Sequence, residues 1–585
     1  MRNLSVYLRE YTKESILAPL FKLLEVVFDL LVPVVVARMI NFGVAGNDRA
    51  YITKCFFILL LMAAIGLLCS ITAQYFAARA SVGFATKLRQ AVFDHIQSLS
   101  FTELDKLGSD TMITRLTDDI NQVQNGVNMG LRLLLRSPFV VFGAMAMAFT
   151  IDVKCAWIFV VAIPVLLAVV FAIMLVSIPL FKKVQAGLDR VTGMTRENLT
   201  GVRVIRAFCR EGHSVEEFES ANRELTRLNE FVGRISALLN PLTYVLINVA
   251  AVFLIDKAAV QVNLGGIAQG DVVALYNYML QIIVELIKLA SLIITLNKAV
   301  ACAGRVSGVL AVEPSMSYPE TGTALPADTN APAVRFDHVT FTYKDAGAPS
   351  LYDISFAAQR GQTVGVIGGT GSGKSTLVSL IPRFYDATSG SVSVDGVNVR
   401  EYTRAGICDK VGVVQQKAVL FKGTIRDNLK WGDETAGDEA LWEALTAAQA
   451  KEVVEAKPGQ LDFELEQNGR NLSGGQKQRL SIARALVKKP EILILDDSSS
   501  ALDFATDAAL RKAIHALSGS MTTFIVSQRI ACIRQADEIL VLDNGRLAGR
   551  GTHDELMNDC ALYREIYFSQ FPEERAAYEK GGERK

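Results

Sequence analysis

The sequence predicts an α-helical membrane domain with six transmembrane helices, followed by an α/β domain built around a P-loop. The first observation is that the apolar residues of this 585-residue chain are concentrated before residue 305. A helix that crosses a bilayer needs about 20 mostly apolar residues. Six runs of this kind lie near Ile16–Ile40, Cys55–Phe76, Leu133–Thr150, Ala156–Leu180, Ala237–Val262 and Val272–Ile294.

The second observation is a glycine-rich loop that fits the pattern G-x-x-x-x-G-K-S. It follows the apolar run Thr363–Ile367, which is typical of a buried strand, and precedes Leu377–Leu380, which is able to open a helix. In such a loop, backbone N–H groups turn towards phosphate oxygens and the helix N-terminus adds positive potential. A chance glycine-rich turn is disfavoured, because both the pattern and its context match. We expect phosphate binding by Gly368, Gly369, Thr370, Gly371, Ser372, Gly373, Lys374, Ser375 and Thr376.

Two residues of the loop have distinct predicted roles. Lys374 is expected to reach the β- and γ-phosphates, and the hydroxyl of Ser375 to ligate Mg²⁺. Further along, the apolar run Ile492–Asp496 is typical of a strand buried on both faces of a parallel sheet. Its terminal carboxylate, Asp496, is placed to hold Mg²⁺ through water.

A further motif narrows the class of nucleotide-binding protein. Leu472-Ser473-Gly474-Gly475-Gln476 precedes the helical pattern Lys477–Leu486 and lies before the strand that ends at Asp496. With these motifs, residues 331–570 resemble the nucleotide-binding domain of ATP-binding cassette (ABC) proteins. The resemblance implies ATP and Mg²⁺ as cofactors. It also implies a sandwich of two cassettes, in which each ATP lies between one subunit's phosphate loop and the other's Leu-Ser-Gly-Gly-Gln motif.

The resemblance assigns roles to single positions of this chain. Tyr343 matches the aromatic residue that stacks on adenine, and Gln416 matches the glutamine that senses Mg²⁺ and the membrane domain. Asp503, in Ser500–Asp503, matches the loop that crosses the dimer interface. The residues expected to serve the partner's ATP site are Leu472, Ser473, Gly474, Gly475, Gln476 and Asp503.

Two catalytic positions depart from the family pattern. Asp497 stands where the family usually has a glutamate that polarises the attacking water, and Gln528 stands where it has a histidine. Aspartate is about 1.5 Å shorter than glutamate, and a general base must approach its proton to about 2.6–3.2 Å or act through a water. Glutamine donates a hydrogen bond but does not relay a proton as imidazole does. We therefore expect ATP to bind here and to be hydrolysed slowly.

This pattern of change predicts an asymmetric pair. The phosphate-binding residues Lys374 and Ser375 are intact while both catalytic positions are altered, and the intact motif Leu472–Gln476 completes a partner's site. We therefore expect a heterodimer with a second half-transporter that supplies the glutamate and histidine, as in the degenerate-site subunit of heterodimeric multidrug ABC exporters. The alternative is a slow homodimeric exporter.

The first half of the chain is similar to the membrane domain of exporter-type half-transporters. The connections after the second and fourth spans are rich in Lys and Arg, whereas Asn263–Gly270 has neither. The positive-inside rule then places the long connections, and with them the nucleotide-binding domain, in the cytoplasm. Gly108–Asp118 and Gly201–Phe208 resemble the two coupling segments that contact the cassettes. A bacterial-type cell membrane is the expected location.

Charged residues inside two spans predict a substrate cavity. Such residues are costly in a bilayer and usually face a bundle interior or a cavity. The first span contributes Glu25 and Asp29 with Lys22, and the sixth contributes Gln281, Glu285 and Lys288. These residues either pair with one another or line an amphipathic cavity. If the carboxylates contact substrate, cationic amphiphiles are favoured.

The predicted organisation is a transmembrane domain at 1–312, a linker at 313–331, a nucleotide-binding domain at 332–570 and a charged tail at 571–585. The leading hypothesis is a subunit of an ATP-driven exporter of drug-like or lipid-like amphiphiles, in contact with membrane lipids. An importer on the same fold, for example for metal chelates, and a regulatory complex remain open. The spans argue against a soluble ABC protein, and the formal net charge of zero gives no sign of nucleic-acid binding. Eight scattered cysteines predict reduced thiols.

Overall fold

The computed structural model describes residues 4–320, 331–498, 502–517 and 521–575, and only the backbone of residues 239, 240 and 290. The chain forms two compact units. The membrane unit comprises Met1–Gln97 and Gly108–Val312, and the P-loop unit comprises Ser98–Leu107 and Glu313–Lys585. Much of the predicted linker and most of the predicted tail, residues 321–330 and 576–585, lie outside the described residues.

The membrane unit is helical throughout. Long helices carry the apolar runs, and shorter helices and turns connect them. After a 3₁₀ turn at Ser5–Tyr11, the helices are Thr12–Arg38 (α1), Arg49–Ser98 (α2), Ser109–Thr114 (α3), Ile120–Leu133 (α4), Arg136–Ile151 (α5), Val153–Thr200 (α6), Val202–Ala207 (α7), Glu211–Ala237 (α8), Leu239–Asn263 (α9) and Gln269–Leu310 (α10). Short π-helical stretches occupy Met39–Val44 and Arg115–Asp119.

Five helical stretches of the described chain are long and apolar enough to cross a membrane: Arg49–Ser98, Ser109–Ile151, Val153–Thr200, Glu211–Asn263 and Gln269–Leu310. The remaining predicted span, the first in the chain, is helix α1, with 27 residues. Three charged residues interrupt its apolar sequence at Lys22, Glu25 and Asp29, and they make its composition less apolar than that of the other five. Its length still suffices for a span, since about 20 residues cross the hydrocarbon core.

The third predicted span begins at a break between α4 and α5. The helical hydrogen bonding is interrupted at Leu134 and Leu135, and α5 restarts at Arg136. Glu285 lies at this helix start and accepts a hydrogen bond of 3.0 Å from the buried hydroxyl of Ser137.

The P-loop unit contains three sheets in its described part. The strands in chain order are Val334–Phe341 (β1), Leu351–Ala358 (β2), Thr363–Gly368 (β3), Ser389–Val394 (β4), Val397–Asn398 (β5), Val411–Val414 (β6), Gly423–Thr424 (β7), Glu464–Leu465 (β8), Ile492–Asp496 (β9), Thr522–Val526 (β10), Glu538–Asp543 (β11) and Arg546–Gly551 (β12). The central sheet has the order β12-β11-β3-β10-β9-β6, in which β12 alone is antiparallel. An antiparallel sheet β2-β1-β4-β5 and the pair β7-β8 flank it.

The helices of this unit are Phe101–Leu107 (α11), Lys374–Ser379 (α12), Arg404–Lys410 (α13), Ile425–Lys430 (α14), Asp438–Ala447 (α15), Lys451–Glu455 (α16), Gly474–Val487 (α17), Phe504–Leu517 (α18), Ile530–Ile533 (α19), His553–Asp559 (α20) and Ala561–Gln570 (α21). The core is built from the strands: Ile492, Leu493 and Ile494 of β9 are at most 1% exposed. The apolar run thus forms the predicted strand because a parallel sheet covered on both faces buries every side chain. The predicted fold class is confirmed.

One segment of the membrane-side sequence packs within the P-loop unit. Helix α11 places the ring of Phe101 at 4.6 Å from that of Phe384. The hydroxyl of Tyr385 donates a hydrogen bond of 2.6 Å to Asp105. Residues Ser98–Leu107 thus belong to the P-loop unit, and the predicted first coupling segment, Gly108–Asp118, begins directly after them in the membrane unit.

Candidate functional site

The phosphate loop lies where parallel strands of the central sheet end. Strand β3 leads into it, and the neighbouring strands β10 and β9 end beside it, with Val526 paired to Asp496 in the ladder. Gly371 and Gly373 adopt positive φ angles of 80° and 95°, which L side chains rarely reach. A Cβ at Gly373 would lie 2.7 Å from the carbonyl oxygen of Ser350, so this glycine is required for close packing as well. By contrast, no atom lies within 4 Å of a Cβ placed at Gly369 or Gly371, which leaves open space along the loop.

The ammonium group of Lys374 is folded back over the loop. It donates hydrogen bonds to the carbonyl oxygens of Gly368 and Gly369, at 3.0 and 2.6 Å. Burial lowers the pKa of Lys374, and the carboxylates of Asp497 and Asp496 oppose that shift only in part. A partly buried cation with incomplete compensation is suited to phosphate oxygens, so the residues present fit a nucleotide phosphate group.

Ser375 and Asp496 form a pair of oxygen ligands. The hydroxyl of Ser375 donates to Asp496 Oδ1 at 3.0 Å. Burial raises the pKa of Asp496, and the hydrogen bond from Ser375 lowers it by less. The described residues contain no cluster of three His, Cys, Asp or Glu side chains able to hold a metal. The pair therefore suits Mg²⁺, which is typically bound through one or two carboxylates and substrate phosphates and keeps several waters.

Asp497, at the first of the two altered positions, is hydrogen-bonded to Gln416. Nε2 of Gln416 donates to Asp497 Oδ2 at 3.2 Å. Asp497 has a φ of 46°, in the left-handed region, and its backbone N–H donates to Val526 O at 2.9 Å. The second altered residue, Gln528, follows strand β10 with an exposed side chain, and its carbonyl accepts a hydrogen bond of 2.7 Å from Gln570. The structure thus brings Gln416 and Asp497 together beside the loop.

The ring of Tyr343 lies next to the phosphate loop and packs against two other aromatic rings. Its hydroxyl is 3.1 Å from Thr376 Oγ1, and its ring packs edge-on against Phe341 and Tyr385 at 4.8 and 5.3 Å. Tyr385 was not found from the sequence, where no motif marks it. Through its hydrogen bond to Asp105, Tyr385 connects helix α11 to the ring expected to stack on adenine.

The Leu472–Gln476 motif forms the start of helix α17. Ser473 is the N-cap: its Oγ accepts a hydrogen bond from the N–H of Gln476, and the Gln476 side chain accepts one from the N–H of Ser473. Gly474 is exposed, while Leu472 is buried and anchors the turn. Asp503 caps the next helix by accepting from the N–H of Thr506 at 3.2 Å. Of the predicted interface loop, Ser500 and Ala501 lie outside the described residues.

A cavity of about 580 Å³ lies in the membrane unit. Of the predicted cavity residues, Asp29, Gln281, Glu285 and Lys288 line it, and Glu25 lies behind Arg136, with an oxygen 3.8 Å from its guanidinium. Apolar side chains complete its wall: Val32, Pro33, Val36, Val140, Leu280 and Val284.

Arg136 is the residue of this cavity that sequence reasoning missed. Its guanidinium contacts Glu285 at 2.7 Å, Asp29 at 3.2 Å and Glu25 at 3.8 Å. Lys22 contacts Glu25 and Lys288 contacts Glu285, so three cations face three carboxylates. This balance removes the basis for the expected preference for cationic amphiphiles. A signal was available, because an arginine inside a predicted span marks a functional position.

Comparison with known proteins follows the same division of the chain. The profile of the ABC transporter transmembrane region matches residues 15–286, and the ABC transporter profile matches residues 351–500. An uncharacterized ABC transporter ATP-binding protein of Mycobacterium tuberculosis is 36% identical over 567 residues, which cover 96% of this chain and 97% of the relative. The chain belongs to the ABC transporter family. This ABC transporter is a multi-pass membrane protein with an ATP-hydrolysing domain.

Two Bacillus subtilis relatives also align along nearly their whole length. The ABC transporter ATP-binding protein YfiB, itself uncharacterized, is 34% identical and covers 98% of this chain and 99% of its own. YgaD, provisionally named a multidrug export ATP-binding/permease protein, is 31% identical over 97% of this chain and 99% of its own. Among solved structures, a bacterial Atm1-family ABC exporter with ATP bound has a TM-score of 0.78 and 23% identity, covering 96% of this chain and 98% of that one. The fold of this ABC transporter is that of an exporter.

Proposed function

We propose that this chain is one subunit of a heterodimeric, ATP-driven ABC exporter of amphipathic drug-like or lipid-like substrates. Its own ATP site binds nucleotide and hydrolyses it slowly, while its Leu472–Gln476 motif completes the active site of the partner. The observation that carries the proposal is the separation between binding and catalytic residues. Lys374, Ser375 and Asp496 match the family's nucleotide-binding residues and lie together at the phosphate loop, whereas Asp497 and Gln528 replace the family's catalytic residues.

The geometry at Asp497 supports slow turnover. A carboxylate that activates water for attack on the γ-phosphate has to extend beyond the strand end to that water. Asp497 is one methylene shorter than glutamate, and its carboxylate accepts a hydrogen bond from Gln416. The exposed amide of Gln528 contributes a hydrogen bond to phosphate but carries no proton. ATP at this site then holds the two cassettes together, and hydrolysis at the partner-completed site resets the transporter.

The intact signature helix supports an unequal pair. The exposed N-terminus of α17, with Ser473 as its N-cap, offers first-turn N–H groups and a positive dipole end to a γ-phosphate. In a homodimer both active sites would combine this helix with the slow Asp497 site. A partner with glutamate and histidine gives the helix a site at which hydrolysis is fast.

Substrate export is supported by the amphipathic cavity and by the fold. The cavity combines apolar walls with charged groups, which suits a molecule that has an apolar body and a polar head. The relative YgaD is provisionally named for multidrug export, and the aligned solved structure is an exporter. Direction is tested by ATP-dependent uptake of fluorescent amphiphiles into inverted membrane vesicles, where an exporter accumulates substrate inside.

The test of the unequal pair is steady-state ATPase activity of the purified chain, alone and co-purified with a second half-transporter that carries the glutamate and the histidine. We expect activity from the pair and little from the lone chain. In the pair, replacing the partner's catalytic glutamate should abolish hydrolysis, and Asp497→Ala should leave most of it. Brisk hydrolysis by the lone chain that Asp497→Ala abolishes would instead identify a homodimer with an unusual base.

A further inference from the structure

The membrane cavity contains a chain of alternating charges. Asp29 contacts Arg136 at 3.2 Å, Arg136 contacts Glu285 at 2.7 Å, and Glu285 contacts Lys288 at 3.0 Å. The two inner members are buried, with side chains 14% and 5% exposed for Arg136 and Glu285. The two ends reach the cavity, with side chains 46% exposed for Asp29 and 44% for Lys288. The exposed charged groups offered to a ligand are thus one carboxylate and one ammonium group, each with a single close partner in this chain of charges, beside the amides of Asn277 and Gln281.

Two buried polar atoms at the same site have no hydrogen-bond partner among the described residues. They are Nε of Arg136, which is a donor, and Oε1 of Gln281, which is an acceptor. The Gln281 amide is oriented by its contact with the backbone oxygen of Asp29, at 3.5 Å, which leaves Oε1 unpaired. A buried polar atom without a partner is costly, so these two atoms mark hydrogen-bonding capacity that this polar wall does not satisfy by itself.

From these observations, and on the basis of the proposed export function, we propose that the cavity selects zwitterionic amphiphiles, with a primary or secondary ammonium beside a carboxylate or phosphate on one apolar body. The ammonium pairs with Asp29 and the anionic group with Lys288. A cation or an anion alone would add a net charge to a neutral cluster in a medium of low dielectric, next to a like charge at one end. A zwitterion satisfies both ends and leaves the cavity neutral. A lipid head group and a small amphiphile both present this chemistry.

The first experiment compares four probes that share an octyl chain: N-octylglycine, octylamine, octanoate and octyl glucoside. Binding to the nucleotide-free purified transporter is measured by calorimetry, and ATP-driven uptake is measured in inverted vesicles. We expect N-octylglycine to bind at least about tenfold more tightly than each of the others, because charge-assisted hydrogen bonds form at both ends. Equal or tighter binding of octylamine would overturn the proposal.

Two variants test which end of the charge chain binds each group of the ligand. Asp29→Asn should weaken N-octylglycine and octylamine binding about tenfold and spare octanoate, whereas Lys288→Gln should weaken N-octylglycine and octanoate and spare octylamine. Lys298→Gln, an exposed lysine on the same helix and outside the cavity lining, is the matched control and should change neither. Thermal unfolding of each variant separates a lost contact from a misfolded protein. Uniform weakening of all probes by both variants contradicts the assignment.

The two readouts separate this inference from the export proposal. Selective binding of N-octylglycine without ATP-driven uptake of any probe would support the cavity chemistry and contradict export. Uptake of octylamine and octyl glucoside without a zwitterion preference would support export and contradict the cavity chemistry. A further arm, flipping of acyl-labelled phosphatidylethanolamine against phosphatidylglycerol in proteoliposomes, identifies the source: faster flipping of the former indicates a lipid head group, and equal flipping with selective N-octylglycine uptake indicates a small amphiphile.

Discussion

Gln416 Nε2 donates a hydrogen bond to Asp497 Oδ2 at 3.2 Å, so the glutamine expected to sense Mg²⁺ is joined to the aspartate at the position expected for the general base. This contact holds Asp497 beside the strand end from which a glutamate would extend further. We therefore expect Asp497→Glu combined with Gln528→His to raise the steady-state ATPase rate of the lone chain by about 100-fold, within the range of general-base catalysis.

The control for this reversion is Lys374→Ala in the reverted background, which removes the ammonium group positioned over the phosphate loop and should return the rate to baseline. Each single reversion should give a smaller gain, because the water-activating carboxylate and the γ-phosphate contact act on the same step. An unchanged rate in a reverted protein that still binds ATP would contradict the assignment of slow hydrolysis to these two positions.

The stability of the nucleotide-free protein should depend on pH through Asp496, and bound MgATP should offset the loss of stability at neutral pH. Burial raises the pKa of Asp496 above the usual value for aspartate. The protonated form is therefore favoured in the folded state, so this residue's contribution to stability is lost as the pH rises through its raised pKa. Asp496→Asn should raise the unfolding temperature of the nucleotide-free protein by a few degrees at neutral pH and abolish the stabilisation by MgATP.

Thermal unfolding between acid and neutral pH, with and without MgATP, checks this expectation. Asp427→Asn is a control of opposite sign, since hydrogen bonds from Thr424 lower the pKa of Asp427. That residue stabilises the fold above its usual pKa, so its replacement should lower the unfolding temperature at neutral pH and leave MgATP binding intact. A fall in stability for Asp496→Asn without nucleotide would show that the carboxylate is not destabilised by its surroundings.

Tyr385 should couple helix α11 to the nucleotide site. Its hydroxyl donates to Asp105 at 2.6 Å while its ring packs on Tyr343 at 5.3 Å. Tyr385→Phe removes the hydrogen bond, worth about 1 kcal/mol, and keeps the ring contact. We expect basal ATPase activity of the heterodimer to be unchanged and its stimulation by substrate to fall severalfold. Tyr402→Phe is the matched control, because that hydroxyl donates to the carbonyl oxygen of Val394, in strand β4, at 3.0 Å. Equal losses in both variants would point to a stability effect alone.

The nucleotide site was predictable from the sequence because its parts are contiguous. The phosphate loop, the strand Ile492–Asp496 and the helix after Leu472 each carry their own pattern, and local geometry fixes their backbone. The contact of Tyr385 with Asp105 was not predictable, because it joins residues 280 apart in the sequence without a motif at either position. Helix α11 was not predicted for a related reason. It has only seven residues, and periodicity does not distinguish it from the adjoining turns.

In the membrane unit, too, the contacts of the charged residues between different helices were not predictable from the sequence. Periodicity placed Glu25 and Asp29 on one helical face and Glu285 on another, which is a local inference. The cation that joins the two faces, Arg136, comes from a third helix and from the position where α5 restarts. The hydrophobic pattern gave an uncertain start for that span, since the break at Leu134 and Leu135 leaves no polar gap. The pairing therefore required the tertiary arrangement.

Arg136 should be essential for stability through its carboxylate partners. Arg136→Gln removes the nearer of the two cations of Glu285, which is 5% exposed, and leaves Lys288 at 3.0 Å; breaking a buried pair costs about 3–5 kcal/mol. Arg136→Gln with Glu285→Gln should be less destabilised than Arg136→Gln alone, because the second change removes the excess carboxylate of the cluster. Arg190→Gln is the control: its ion pair with Glu224 is largely exposed and is worth about 0–1 kcal/mol. Thermal unfolding in detergent gives the order, and additive effects would show that the two residues are independent.

Replacing Ser473 should distinguish a role in helix capping from a contribution to catalysis at the partner's site. Ser473 and Thr552 are both N-caps in capping boxes, with Gln476 and Glu555 as reciprocal acceptors. Replacing either cap by alanine should cost about 1 kcal/mol, and so lower the unfolding temperature of the transporter by similar small amounts. We expect Ser473→Ala to lower steady-state ATPase activity of the heterodimer at least tenfold, whereas Thr552→Ala leaves it within about twofold.

The difference arises because the N-terminus of α17 carries an exposed glycine and faces solvent in this chain, so its N–H groups and the Ser473 hydroxyl are available to the partner's γ-phosphate. Equal activities of the two variants would mean that this helix start is structural, and the fast site of the pair would then have to lie over the phosphate loop of this chain.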